Sequence, residues 1–211
     1  MNTVSIKTAY HGLKEFSSTG KAYPADGAVT FIQQFKHLFI GNKLNAILNT
    51  WIADTRFSYQ MQQNFQQDMA DDIEWEGPFV LTIGSQKLFI DFSAPEQYEI
   101  GINSQSIAKT IDICSTTISE LEKNANNEQF VDISPLYNHN VIGQVIRDIH
   151  VVVDNRYTIT HLVSIIVELQ NCFCLVFSEE IDNPMMRVYS NIDKALDVVE
   201  KIKEQNFNFY K

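Results

Sequence analysis

The chain lacks the short motifs by which many enzymes are recognised. It holds no Gly-x-Ser-x-Gly turn, no glycine-rich phosphate loop and no dinucleotide fingerprint. Its 8 glycines, scattered over 211 residues, leave few places where backbone could wrap a phosphate. Asp91 and Glu168 are the carboxylates with the most apolar neighbours, but pairing with Lys or Arg, or an edge facing solvent, is the simpler interpretation of each. We therefore predict no enzyme, no catalytic residue and no cofactor.

Cysteine is scarce, and metal-binding spacings are missing. An odd count of three cysteines argues against a disulfide framework. Cys172 and Cys174 lie two apart in an apolar run, where a strand would point both thiols to one buried face. The five histidines form no His-x-x-x-His pair, so no metal site is predicted, although hairpin pairing could bring His150 and His161 together.

Long apolar runs and excess positive charge are also missing. No run approaches the roughly 20 residues that span a bilayer, and residues 1–10 do not resemble a signal peptide. We therefore expect a cytoplasmic protein, unless a leader has already been removed. The net charge of -10 would repel phosphate backbones and anionic lipid, so neither nucleic acid nor membrane is an expected partner.

What is present is a pattern that occurs twice. Ile40-Gly41, followed by Leu44 and Ile47, matches Ile142-Gly143, followed by Ile146 and Ile149. Strand-turn-strand runs then end in Phe92-Ser93 and Phe177-Ser178, and a third apolar run ends in Ser104 and Ser190. The shared order indicates one β-rich unit used twice, although similar hairpins can also arise independently.

Hydrophobic periodicity predicts the elements of each unit. Apolar residues at helical spacing predict helices over Gly27–Phe39 and Ser104–Lys123, and Asn191 is a predicted cap of a C-terminal helix. Strands are predicted at the following segments: 3–10, 43–53, 79–83, 88–92, 98–102, 145–154, 160–169, 172–177 and 185–189.

These elements predict an α+β fold. Two antiparallel β units, each preceded by a helix, are expected to pack together and to be closed by the C-terminal helix. We expect a single compact domain over 1–211, with units at approximately 24–104 and 105–190 and the helix at 191–205.

One acidic cluster suggests a binding surface. Five carboxylates surround a tryptophan at the end of an insert that the second unit lacks, which makes the candidate partner-binding residues Asp68, Asp71, Asp72, Glu74, Trp75 and Glu76. Charge would speed encounter with a basic protein, and the indole would supply a desolvated centre. A solvated loop with Trp75 turned into the core is the alternative. A second acidic turn at Glu179, Glu180 and Asp182 could share one rim with the first.

In overall character the chain resembles the acidic immunity proteins of bacterial toxin systems, through the acidic run Asp68–Glu76 and the Ile-Gly units at 40 and 142. That resemblance implies tight binding to a cognate toxin. We therefore expect a non-enzymatic protein that binds a basic partner, as an immunity or inhibitor protein. A small-ligand module or enzyme with a pocket between the units is the alternative. A structural subunit that dimerises through an exposed sheet edge or through its aromatic tail (Phe207–Tyr210) also stays open.

Overall fold

A computed structural model of the chain describes residues 5–10, 21–23, 33, 36–50, 75–76, 79–94, 97–102, 112–117, 129–137, 140–156, 161–180 and 183–209. The first group of strands is β1 (Ser5–Tyr10), β2 (Lys21–Tyr23), β3 (Leu44–Thr50), β4 (Trp75–Glu76), β5 (Phe79–Ile83), β6 (Gln86–Ala94) and β7 (Gln97–Ile102). The second group is β8 (Asp112–Thr117), β9 (Gln129–Asp132), β10 (Ile146–Asp154), β11 (His161–Leu169), β12 (Cys174–Glu180) and β13 (Asn183–Tyr189). Two 3-10 helices, Lys36–Leu38 and Ser134–Leu136, and one α-helix, α1 (Ile192–Phe209), complete the described elements.

The strands form two antiparallel sheets. The first sheet has eight strands in the order β2-β7-β6-β5-β3-β9-β1-β8, and the second has five in the order β10-β11-β12-β13-β4. Together with α1 they give an α+β fold, as the sequence predicts. In the described part of the chain, no helix is long and apolar enough to cross a membrane.

The same four-stranded meander occurs in both sheets. It consists of β3, β5, β6 and β7 in the first sheet and of β10, β11, β12 and β13 in the second. The opening hairpins also share a register shift, between Leu44 and Ala46 in one and between Ile146 and Asp148 in the other. A β-bulge at the same place in both hairpins aligns Leu44 with Ile146, which lie 102 positions apart (146 minus 44).

The two Ile-Gly corners bond to each other about a local twofold axis. Gly41 N donates to Ile146 O at 2.9 Å, and Gly143 N donates to Leu44 O at 2.7 Å. Adding 102 to the donor's number and subtracting 102 from the acceptor's number converts the first bond into the second, as a twofold exchange of the two corners requires. The same relation links Leu44 N to Gln144 O with Ile146 N to Asn42 O, both at 2.8 Å, around the bridge between Lys43 and Val145. Both glycines need the left-handed backbone of this corner, with φ of 83° and 85°.

Strand registers correct one part of the sequence alignment. Phe79 pairs with Ile90 in the first meander, and its counterpart Ile165 pairs with Phe177 in the second. Ile90, rather than Phe92, is therefore the counterpart of Phe177. The turn between the paired strands is longer in the second meander. Aligning the two meanders by identical residues alone therefore gives the wrong counterpart for Phe177.

The described strands and helix pack as three layers. Apolar side chains from both sheets fill the space between them, and Phe79 meets Phe177 edge to face with ring centroids 5.3 Å apart. The opposite face of the second sheet carries α1, whose Ala195, Val199 and Ile202 pack on Val163, Ile166, Cys174 and Val176. Strands buried on both faces should be nearly continuous in apolar residues, and β11 and β12 are.

The predicted helix before each unit is not supported. Residues 112–117, inside the predicted helix Ser104–Lys123, form the strand β8, which pairs with β1. Within the predicted helix Gly27–Phe39, the described residue Gln33 is α-helical and Lys36–Leu38 forms a short 3-10 helix. The C-terminal helix is confirmed, and the Asn191 side chain accepts a hydrogen bond from Lys194 N at 2.9 Å as its cap.

The boundary between the sheets falls later than the predicted boundary between units. Strands β8 and β9 belong to the first sheet, so the sheets divide the chain between Asp132 and Ile146 rather than at 104/105. In addition, β4 from the first unit joins the second sheet. The division into units at 24–104 and 105–190 stays a prediction.

Candidate functional site

The predicted acidic segment ends in an edge strand of the second sheet. Trp75 pairs with Met186 and Glu76 pairs with Met185, so β4 lies antiparallel beside β13. The preceding candidates, Asp68, Asp71, Asp72 and Glu74, lie outside the described residues. The structure therefore fixes the backbone position where the acidic run ends.

This position brings the last residue of the run, Glu76, close to the second acidic turn. Met185 pairs with Ser178 on its other side, and Ser178 directly precedes Glu179 at the end of β12. Strands are spaced by about 4.8 Å, so the backbones of Glu76 and Ser178 lie roughly 10 Å apart across β13. Glu76 thus lies at the same corner of the second sheet as Glu179, whereas Trp75, opposite Met186, lies one step farther from that corner along β13. That the two acidic stretches form a single binding rim stays a prediction.

Glu168 is the centre of a cluster of ionic side chains on the second sheet. Its side chain is 8% exposed, and each of its oxygens has its own cationic or polar neighbour. Arg147 Nη1 donates to Oε1 at 3.1 Å, and His150 Nε2 lies 3.1 Å from Oε2. The bulge at Arg147 adds the extra residue that lets two side chains of one strand reach the same carboxylate. Of the two interpretations offered for Glu168, pairing with Arg is the one observed.

The chemistry beside Glu168 is not that of a nucleophile. Cys174 pairs with Glu168 across the sheet and is buried. Burial, followed by the nearby Glu168 charge, raises the pKa of the Cys174 thiol to about 12. A thiol that keeps its proton at neutral pH is a poor nucleophile, so this cluster stabilises a buried carboxylate and does not activate a sulfur.

The two neighbouring cysteines do not share a face. Cys174 is buried in β12 as predicted, but Cys172 is exposed in the preceding turn with a φ of 74°. The predicted buried position of Cys172 is therefore wrong. The turn is longer than the sequence suggests because Leu169 N bonds to Phe173 O, which closes the hairpin around Cys172.

Pairing of β10 with β11 does not place His150 opposite His161. His150 pairs with Ile166, whereas His161 pairs with Asp154 at the far end of the hairpin. Among the described residues no group of three or more His, Cys, Asp or Glu side chains could hold a metal ion.

Sequence reasoning missed one ionic centre, which attaches the end of α1 to β10. Arg156 donates from Nε and Nη2 to the Asp154 carboxylate, at 3.0 and 2.7 Å. It also donates to Glu204 Oε1 at 2.6 Å and Lys203 O at 2.8 Å, and its guanidinium lies 4.4 Å from the Phe207 ring centroid. The only sequence signal is an Asp at the end of a valine-rich strand with an Arg two residues later.

We expect acid to weaken this attachment. Burial alone would raise the pKa of Asp154, but the hydrogen bonds from the Arg156 side chain and backbone outweigh it and hold the pKa below the ordinary 3.8. The unfolded chain then takes up the proton first as the pH falls. The stabilisation is therefore complete well above pH 3.8 and is lost as the pH falls through that value towards the folded pKa.

Chemical denaturation of the wild type and of Asp154→Asn, between neutral pH and pH 3, measures this effect. The variant should be less stable at neutral pH and should lose less stability in acid, because it has no carboxyl at this position. Parallel losses in the two proteins would contradict the assignment. The pKa of Asp148 is also lowered, because its side chain accepts a hydrogen bond from Lys36. Its contribution to the pH dependence of stability is the same in the wild type and in the variant.

No protein-family model, curated protein or solved structure matches the chain.

Proposed function

We propose that the protein is a non-enzymatic binding protein that recognises a basic protein partner through residues 68–76, as an inhibitor or immunity protein does. The observation that carries this proposal is the pairing of Trp75 and Glu76 with β13. A segment rich in carboxylates and anchored at a sheet edge loses less conformational freedom on binding than a free loop would.

Charge supports the same proposal. The chain carries 26 acidic and 16 basic residues, so the electrostatic potential around it is negative and attracts positively charged proteins. Complementary charge mainly accelerates encounter and selects the partner, while an aromatic side chain that becomes buried in the complex supplies affinity. The acidic run contains both kinds of residue, since Trp75 lies within it.

Within the described residues, no observation supports the alternative of a pocket between the units. The described space between the sheets is filled by side chains that are 0–5% exposed, among them Phe79, Ile165 and Phe177. A ligand site there would require these side chains to separate.

Charge reversal tests the proposal. The triple variant Asp71→Lys, Asp72→Lys and Glu74→Lys changes the net charge from -10 to -4 (three changes of two units each). The tagged full chain is cross-linked in cells that produce it naturally, and the captured proteins are identified and quantified. We expect a basic protein to be captured by the wild type and lost with this variant, and its binding to weaken as salt is raised.

A matched control separates local from total charge. Asp193→Lys, Asp197→Lys and Glu200→Lys produce the same net charge on exposed positions of α1, and this variant should capture the partner as the wild type does. Circular dichroism checks that both variants fold. An acidic captured partner, or equal capture by both variants, would rule out residues 68–76 as the binding segment.

A further inference from the structure

The two sheets differ at one equivalent edge. In the first sheet the outer side of β3 is occupied, because β9 pairs with Leu48, Asn49 and Thr50. The counterpart of β3 is β10, and the offset of 102 maps those three positions onto His150, Val151 and Val152. Among the described residues β10 pairs along its length only with β11, and it is the last strand of its sheet.

Just before this stretch, a side-chain oxygen accepts the outward-pointing backbone N–H in both sheets. Ile47 N donates to Ser134 Oγ at 2.8 Å, and Ile47 O accepts from Ile133 N at 3.0 Å. The backbone N–H and C=O of Ile47 therefore point away from β5, towards the side of β3 on which β9 lies. Its counterpart Ile149 donates its N–H to Asp148 Oδ1 at 2.7 Å. Outward-pointing residues alternate along a strand, so Val151 is the next residue whose N–H and C=O point away from β11.

The chemistry of this edge is neutral and β-branched. Val151, Val152 and Val153 are half-buried, and such residues favour a sheet with neighbours on both sides. The charges around them are already paired within the chain, through the pairs Lys36–Asp148, Arg147–Glu168 and Arg156–Asp154. The edge therefore suits an uncharged strand, whereas the acidic corner at β4 lies at the opposite edge of the same sheet.

We propose that this edge pairs with β10 of a second copy of the chain, antiparallel and about a twofold axis near Val151. A second copy presents the same neutral valine run, and an antiparallel twofold arrangement lets each Val151 bond the other. The two sheets then continue as one, as β9 continues the first sheet beyond β3. Natural proteins seldom leave a long β-branched edge uncovered, because it is a template for pairing.

The charge of the whole molecule gives this association a distinctive dependence on salt. Two chains of net charge -10 repel each other, and dissolved ions screen that repulsion. Since the strands that meet are locally neutral, salt should tighten the dimer. Binding of a basic partner at residues 68–76 should instead weaken with salt, so the two proposals can fail separately.

Sedimentation velocity of the full chain, from micromolar to millimolar concentration at low and high salt, tests the proposal. We expect the mass to rise with concentration from 24.2 kDa to twice that value, at lower concentrations in high salt. Val151→Pro removes the outward N–H without removing a bond to β11 and should abolish the rise. Leu196→Lys, at a side chain 42% exposed on α1, is the matched control and should leave it unchanged.

Amide hydrogen exchange of the wild type provides a measurement that does not depend on the folding of a variant. Exchange at Val151 and Val153 should slow as the concentration rises through the transition, while exposed amides of α1 stay unchanged. A monomer at every concentration and salt, or a dimer abolished by Leu196→Lys and spared by Val151→Pro, would overturn the proposal.

Discussion

Replacing Phe177 with alanine should lower the free energy of unfolding by about 3–5 kcal/mol, as is typical of a fully buried phenylalanine. Phe177 is 0% exposed and belongs to the layer of side chains between the two sheets. Its ring meets Phe79 of the other sheet at 64° between planes, so truncation removes a contact that joins the sheets and leaves a cavity. Chemical denaturation measured by fluorescence or circular dichroism gives the difference.

Two controls locate the effect in the contact between the sheets. Leu196→Ala, on the exposed face of α1, should change stability by less than about 0.5 kcal/mol. The double variant Phe79→Ala, Phe177→Ala should be more stable than the sum of the single losses predicts, by about 0.5–1.5 kcal/mol for the ring pair. Strict additivity would mean that the two rings stabilise the chain independently.

The strands could be predicted because burial of one or both faces leaves a direct mark on sequence. Phe79–Ile83 is found as predicted, and Cys174–Glu180 begins two residues later than the predicted strand. The difference in the second case comes from the turn, where Cys172 adopts a positive φ that no sequence pattern announces for a cysteine.

Residues 112–117 show where local pattern fails. Ile107, Ile111, Cys114, Ile118 and Leu121 are spaced by four, three, four and three, which is the pattern of a helix face. The β-branched Ile113, Thr116 and Thr117 favour a strand instead, and β8 pairs with β1 from the beginning of the chain. That partner is about a hundred residues away (112 minus 10), so periodicity within a short window cannot report it.

Only part of the candidate site could be predicted, again because its contacts join segments that are distant in sequence. The acidic run is a matter of composition and could be read directly, but its attachment to β13 through Trp75 and Glu76 depends on a pairing between distant segments. The ionic centre at Arg156 likewise joins Asp154 to Glu204, which lies 50 positions later (204 minus 154). Such contacts depend on which strands lie side by side. The repeat predicts the order of the strands along the chain but not these pairings.

Ser134→Ala should lower the free energy of unfolding by about 1–3 kcal/mol, the usual cost of leaving a buried donor without an acceptor. The Ser134 hydroxyl accepts the Ile47 N–H at 2.8 Å, and both residues are buried. Asp132 Oδ1 accepts the Ser134 N–H at 3.0 Å and so holds Ser134 in place just beyond the end of β9. There the Ser134 hydroxyl bonds the β3 backbone at Ile47, where the pairing of β3 with β9 has ended.

The comparison with Ser85→Ala decides whether the buried hydrogen bond is the cause. Ser85 lies exposed in the turn between β5 and β6, so its substitution should cost less than about 0.5 kcal/mol. In Ser134→Ala the Ile47 amide should also exchange with solvent faster than in the wild type, because its acceptor is gone. Equal stability of the two variants, with an unchanged Ile47 amide, would mean that water or another group takes the place of the hydroxyl. It would also weaken the parallel with Asp148 and Ile149, since that parallel depends on a side-chain oxygen closing the edge at both equivalent positions.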